Sequence, residues 1–509
     1  MKKTGTDLFE LIHSLTMAEK KYFKMFSSLK GGDKSYLKLY DATAKQHTYN
    51  EDAIRSACHG QKFLRHLSVA KRDLHTNILR SLENYHSSAD INLHSRLRKV
   101  EILLRKGLTA QALKLLKEAK RIAYQHEQWE MLMEILVMER TPYATLDILT
   151  IPHLNEEMES VLKKINSIKD YRKIHLEIIQ RFQKAEFMRT RREKSFIEKL
   201  MQHPLLRNSN QASCAEAKAY YYDIWSRYYL LKRDIIKGYK TLKEQCEFIE
   251  TYFHQLRDPE KKHLAALNLS VIFMGYLLPD NRNIYSEMQE VLHKIRSYPN
   301  ISSSLKEELW IYSHVNELNA YVMAGDFERV YPVLKAIEGS EDIVNQAPVF
   351  TRIMLYSNIA YLLFGAGNYT EALRWLRKAI DQPAGALRED AQAGARMLYL
   401  LIHYELHKDD EQMLDSLKRS TQHFLSTRQL FFKVEKALMH CMRQIIGKPI
   451  SRKERSAAFK AFKTTLVQLR KNPLEKAAME NFDFLSWVES KIQNKTFAEV
   501  TRLRHRMDS

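Results

Sequence analysis

The sequence predicts an all-α protein: an N-terminal helical domain over residues 1–88, paired helices over 89–446, and a basic helical segment over 447–509 that caps the pairs. Three observations carry this. Glycine and proline number 14 and 11 among 509 residues, about 5 % together where average usage gives roughly 12 %. Too few turn formers remain for a β-sandwich, a propeller or low-complexity disorder. Apolar residues make up 45 % and charged residues 28 %, with the Leu, Ala, Lys, Glu and Arg that lose least on entering a helix prominent among them. Apolar positions also recur at three- and four-residue steps, the period of a helix with one buried face.

The elements follow in order. A first helix is expected near residues 7–15. Thr16 heads a second with Glu19 three positions on, a capping box in which each side chain satisfies the other's orphan amide. Tyr22, Phe23 and Phe26 give that helix its apolar stripe. Gly31-Gly32-Asp33 ends the segment, and Tyr36, Leu37, Leu39 and Tyr40 open another. A long helix is expected near 62–86, with Leu64, Leu67, Val69, Leu74, Ile78, Leu79 and Leu82 at three- and four-residue steps. Further on, residues 155–187 hold neither Gly nor Pro, and Met158, Leu162, Ile165, Ile168, Ile178 and Phe182 mark an apolar seam. This favours one long helix with Asn155 as N-cap over two helices with an unsignalled bend.

From about residue 90 the pattern is one of paired helices with short connectors. In the clearest unit Tyr356, Ile359-Ala360 and Leu363 precede Gly367-Asn-Tyr369, and Ala372, Leu376 and Ala379 follow, with Pro383 beyond. Ala360 and Ala372 let two helices approach closely, and Gly367 supplies the positive φ that ends the first. A second unit has Asn316, Leu318, Asn319-Ala320-Tyr321, Gly325-Asp-Phe327, Val330, Leu334 and Ile337. Weaker copies surround Gly107, Gly238 and Met413. Both clear units resemble the tetratricopeptide repeat (TPR). Inter-helix turns at 107, 233, 325, 367 and 408 give steps of 42 and 41 at the end. Steps near 40 also fit HEAT or armadillo units.

The resemblance implies a right-handed α-solenoid with ligands on the concave face lined by the first helix of each pair. Carried over residue by residue it selects Tyr312 and Asn319 from one unit, and Ser357, Tyr361 and Phe364 from the other. Arg227 and Glu405 come from the weaker copies. The family's carboxylate-gripping set of Lys and Asn is incomplete, which argues against recognition of a peptide C-terminus.

Catalytic and cofactor signatures are missing from the sequence. Neither GxxxxGK[ST], GxGxxG nor GxSxG is present, and His126-Glu127-Gln-Trp-Glu130 is one ligand short of the HExxH zinc helix. His403 and His407 share a helix face, but Glu405 points elsewhere. Acid-x-x-His pairs at Glu83–His86, Glu260–His263 and Glu290–His293 read as surface residues. No enzyme activity, metal or cofactor is expected.

Lys and Arg total 81 against 61 acidic residues, a net charge of +20, which favours anionic partners. Residues 96–121 and 448–476 each carry nine Lys or Arg against two Glu. In the second cluster, the Ser451–Glu454 capping box opens a helix with Phe459, Phe462, Leu466 and Leu469 on one face. Lys460, Lys463, Arg470 and Lys471 lie on the other as candidate anion contacts. A third basic run is Arg189, Arg191, Arg192 and Lys194. Lys71, Arg72 and Arg80 suit either a helix-turn-helix-like module or, more simply, a domain that caps the pairs.

Cys58, Cys214, Cys246 and Cys441 stand singly, as in a reducing, cytoplasmic compartment. Asp7 and Glu10 fall where an export signal needs its apolar core. The uncharged stretches 264–279 and 353–370 are short and interrupted by polar residues, so no membrane contact is expected. The leading expectation is a scaffold that binds another protein or peptide. The alternative is a nucleic-acid-associated or regulatory protein that uses the basic clusters.

Overall fold

The described residues form helices and no strand. The structure, a computed structural model, describes residues 4–29, 35–85, 89–140, 150–184, 190–278, 283–299, 301–382, 389–407, 410–446, 450–472, 474–475, 479 and 482–508. Gly31 to Asp33, His86, Arg189, Pro383 and the turn at 408 lie outside them. The chain divides into two compact units: residues 1–166 with 254–256 and 298–308, and residues 167–253 with 257–297 and 309–509.

The first unit begins with α1 (Thr4–Ser14), α2 (Met17–Leu29), α3 (Ser35–Ala44), α4 (Glu51–Ala57) and α5 (Leu67–Tyr85). The predicted capping box starts α2: Thr16 N donates to Glu19 at 2.6 Å and Glu19 N to the Thr16 hydroxyl at 3.2 Å. Leu74 and Ile78 of α5, both fully buried, pack with Leu8, Ile12, Phe23, Leu39 and Tyr40 into one core. Lys71 points inward, 3 % exposed, and meets Glu51 Oε2 at 2.7 Å. It therefore offers nothing to a groove-facing basic helix. Then come α6 (Ala89–Arg105), α7 (Thr109–Gln125), α8 (Trp129–Arg140) and α9 (Thr150–Lys184). The last is the single long helix expected, but it starts before Asn155, which lies inside it and caps nothing.

The second unit continues with α10 (Arg191–Met201), α11 (Ala215–Lys232), α12 (Ile235–Thr251), α13 (Pro259–Leu277) and α14 (Asn283–Arg296). Next are α15 (Ser303–Ala324), α16 (Val330–Glu338), α17 (Glu341–Gln346), α18 (Val349–Gly365) and α19 (Tyr369–Ile380). It ends with α20 (Glu389–Leu406), α21 (Glu411–Thr427), α22 (Lys433–Ile445), α23 (Arg452–Leu469), α24 (Phe484–Gln493) and α25 (Phe497–Asp508).

One turn design joins many of the pairs. Gly107, Arg233, Gly325 and Gly367 adopt positive φ of 72°, 61°, 66° and 82°, at four of the five predicted turn positions. At each, the next amide reaches back to the carbonyl five residues earlier, as Asn368 N does to Leu363 O at 2.8 Å. This bond closes the orphan carbonyls of the first helix. Asp234 and Asn368 then accept from the amides of Lys237 and Glu371, which caps the second helix. Ala360, Ala372 and Ala379 are fully buried where α18 meets α19, so small side chains set that close approach.

Candidate functional site

Side chains from α15, α18 and α20 converge on one cleft. It holds about 70 Å³ and is lined by Asn319 and Met323 from α15 and by Met354, Ser357 and Tyr361 from α18. Gly394 and Leu398 of α20 and Phe482 complete it. Three of the residues selected by the repeat resemblance, Asn319, Ser357 and Tyr361, thus meet at one place. Asn319 and Ser357 are half-buried, and the Ser357 hydroxyl has no hydrogen-bond partner among the described residues. The neighbouring Asn358 is committed to the fold, donating through Nδ2 to Val315 O at 3.2 Å.

Tyr361, Phe364 and Glu405 have a different environment from the open face expected of them, because the chain's own C-terminal segment covers them. Phe482 and Phe497 stack with ring centres 5.7 Å apart. Phe497 lies 5.2 Å from Phe364 and 5.4 Å from Phe327. The Tyr361 hydroxyl accepts from Asp483 N at 3.1 Å, and burial beside the Asp483 carboxylate pushes its phenol well above the ordinary tyrosine range. Glu405 accepts from Trp487 Nε1 at 2.8 Å and meets Lys491 Nζ at 2.5 Å. No local sequence signal points to this cover, since the partners lie far apart along the chain.

Tyr312 is half-buried on α15 and does not line the cleft. Arg227 belongs to a separate polar cluster on α11, where its Nε donates to Asp223 Oδ2 at 2.7 Å. His175 Nε2 reaches the same oxygen at 2.5 Å, and Gln245 Nε2 reaches Oδ1 at 3.4 Å. Burial alone would raise the Asp223 carboxyl, but Arg227 and His175 outweigh it and hold it well below the usual range.

A larger concavity of about 370 Å³ lies beside α19, with Tyr356 and Trp375 forming its aromatic wall and Glu338, Glu341 and Asp381 its acidic rim. The Lys378 ammonium stands 4.3 Å from the Trp375 ring centre, so the protein's own cation already covers that ring. Sequence reasoning missed this site because its acids come from two stretches of chain about 40 residues apart, Glu338 and Glu341 in one and Asp381 in the other.

The predicted anion contacts at the C-terminal cluster are divided. Lys460, Arg470 and Lys471 are exposed, whereas Lys463 pairs with Glu489 at 2.9 Å. Of the acid-x-x-His pairs, His263 is not a surface residue: it is 4 % exposed and pairs with Glu250, not Glu260, at 3.2 Å. His403 is 6 % exposed, with its ring 5.8 Å from that of His407.

Among the described residues no group of three or more His, Cys, Asp or Glu is placed to hold a metal. No helix there is long and apolar enough to cross a membrane. Compared with protein-family models, with curated proteins and with solved structures, the chain matches none.

Proposed function

We propose that the chain is a non-catalytic scaffold whose TPR-like pairs stack as a right-handed α-solenoid and hold an extended segment of another polypeptide in the α15–α18–α20 cleft. One observation carries the reading: Asn319 and Ser357, selected from two different repeats, meet in one cleft formed by three successive first helices. Asn319 offers an amide and Ser357 an unpartnered hydroxyl to the backbone groups of an extended chain. Met323, Met354 and Leu398 offer an apolar wall to its side chains. Gly394 leaves room on α20, where an added Cβ would meet nothing within 4 Å. The described cysteines are all free thiols, which supports a reducing, cytoplasmic setting for this work.

Selection from a displayed random-peptide library tests the reading. Selected peptides are expected to lose about tenfold in affinity with Asn319→Ala or Ser357→Leu, the loss of one hydrogen bond to a buried partner. Affinity is expected to be unchanged in Lys460→Gln/Lys471→Gln. Failure to select any peptide, or selected peptides indifferent to both cleft variants, would overturn the assignment.

A further inference from the structure

Of the two strongest basic clusters in the sequence, the one on α6 and α7 presents the larger set of exposed cations without an ion pair among the described residues. Two of its nine cations are engaged by carboxylates: Arg96 meets Glu118 at 2.8 Å, and Lys120 meets Glu139 at 2.9 Å and Glu157 at 2.8 Å. The other seven, Arg98, Lys99, Arg105, Lys106, Lys114, Lys117 and Arg121, are all exposed. None of the seven has an ion pair among the described residues, and Glu101 is the remaining carboxylate of the stretch. The C-terminal cluster presents fewer: Lys463 is taken by Glu489, Arg470 has a partner of its own and Arg455 is half-buried, which leaves Arg452, Lys453, Lys460 and Lys471 exposed among the described residues.

Helix geometry gathers four of the seven cations into one surface. The Arg96–Glu118 bridge joins the outer edges of α6 and α7, so the residues one turn away on those edges share that surface. They are Lys99 on α6, and Lys114 and Arg121 on α7. Lys114, Lys117 and Arg121 follow at steps of three and four along α7, whereas Arg98 and Arg105, two turns apart, lie on the other flank of α6 from Arg96 and Lys99. The turn between the helices adds Lys106 beside Gly107.

We infer that this α6–α7 face is a docking surface for the phosphate backbone of duplex nucleic acid, bound without sequence readout. The α7 row of unpaired cations, with Lys99 and Lys106 beside it, complements a row of phosphates, and guanidinium and ammonium groups suit phosphate oxygens. Single strands fit less well because they need exposed rings on which bases stack. Residues 89–125 offer one such ring, Tyr124, which is partly exposed but held by its hydroxyl on Glu157 at 2.5 Å and edge-on against Trp129. An anionic bilayer fits less well because interfacial helices present a broad apolar face. Here Ile102 and Leu108 are the exposed large aliphatics among the cations.

The test is fluorescence anisotropy of a labelled mixed-sequence DNA duplex with the full chain, between about 50 and 200 mM salt. With four or five phosphate contacts, log K should fall against log salt with a slope near −4. Lys114→Gln/Lys117→Gln/Arg121→Gln should flatten that slope by about 3, since each contact contributes roughly 0.9. Lys114→Arg/Lys117→Arg should bind as the parent does, and Lys460→Gln/Lys471→Gln should leave the slope unchanged. Circular dichroism confirms that each variant retains its helices. Four outcomes would overturn the inference: no binding at 50 mM salt, a slope unmoved by the α7 triple variant, tighter binding of a single strand, or preference for phosphatidylserine vesicles or polyglutamate over the duplex.

Discussion

The indole of Trp487 donates its Nε1 hydrogen to Glu405 Oε1 at 2.8 Å, joining residues 82 positions apart. The carboxylate also meets the Lys491 ammonium at 2.5 Å, with the Glu405 side chain only 4 % exposed. Trp487 is fully buried, with Tyr404 and Phe459 edge-on against it. The C-terminal helices are therefore part of the core of the second unit.

Glu405→Ala is expected to cost about 3 kcal/mol, because it leaves a desolvated indole N–H and a largely buried ammonium without their acceptor. Urea unfolding followed by far-ultraviolet circular dichroism measures it. A cost within about 0.5 kcal/mol would mean that the segment folds without this contact. Glu405→Gln keeps an acceptor for the indole and should cost less.

The helix content and the turn positions were legible in the sequence; the cover over the first helices was not. Gly107, Gly325 and Gly367 mark turns because glycine alone is unstrained at positive φ, and after Gly325 and Gly367 the Asp or Asn that follows is a ready N-cap. The αL residues Glu127 and Gln429 carry no such mark, so their turns were missed. Asn319 and Ser357, selected from two sequence units, line a common cleft. Tyr361, Phe364 and Glu405 are selected on the same resemblance, yet Phe482, Trp487 and Phe497 cover them. Contacts of that range are decided by tertiary packing, which local periodicity does not encode. Charge was legible only as a sum; which cations are neutralised depended on Glu118, Glu139, Glu157 and Glu489 being brought to them.

Gly365→Ala is expected to destabilise the second unit by about 1–3 kcal/mol through overpacking. A Cβ at this position would stand 2.1 Å from Phe327 Cδ1. The Phe327 ring is 1 % exposed and packed against Tyr361 and Phe497, so it has nowhere to turn. Gly107→Ala supplies the contrast. An added Cβ there meets nothing within 4 Å but sits at a φ of 72°, which costs about 1 kcal/mol through the backbone alone. Equal denaturation midpoints for Gly365→Ala and the parent chain would show that the helices separate without strain.

Stability should fall as pH drops from about 6.5 to about 4, in part because of His314. Burial, aided by the charge of Arg296, pushes its imidazole down to about 4, while Nδ1 donates to Trp310 O at 2.7 Å. Below 6.5 the unfolded chain binds a proton that the folded chain refuses, so the unfolded state gains. The full effect at this one site is about 3 kcal/mol once pH reaches 4. Thermal melts of the parent and His314→Gln at pH 7 and pH 5 are the check, and the parent should lose more on acidification. Parallel losses would place the acid sensitivity elsewhere.

Lys71 and Glu51 give a prediction in which deleting the buried partner is milder than deleting the exposed one. The Lys71 side chain is 4 % exposed and that of Glu51 is 43 %. The ammonium meets Glu51 Oε2 at 2.7 Å and the Tyr49 hydroxyl at 2.5 Å. Glu51→Gln strips the counter-charge from a buried cation and should cost about 1–3 kcal/mol. Lys71→Met keeps the aliphatic volume and frees two groups that water reaches, so it should cost under about 1 kcal/mol. The Lys71 and Arg55 hydrogen bonds hold the Glu51 carboxyl at about 2. Its contribution is therefore complete above about 4.5 and disappears as pH falls toward 2. The parent should lose more stability than Glu51→Gln between pH 5 and pH 3, read by thermal melts. A larger cost for Lys71→Met than for Glu51→Gln would show that the ion pair itself, and not relief of an isolated buried charge, sets the stability of this site.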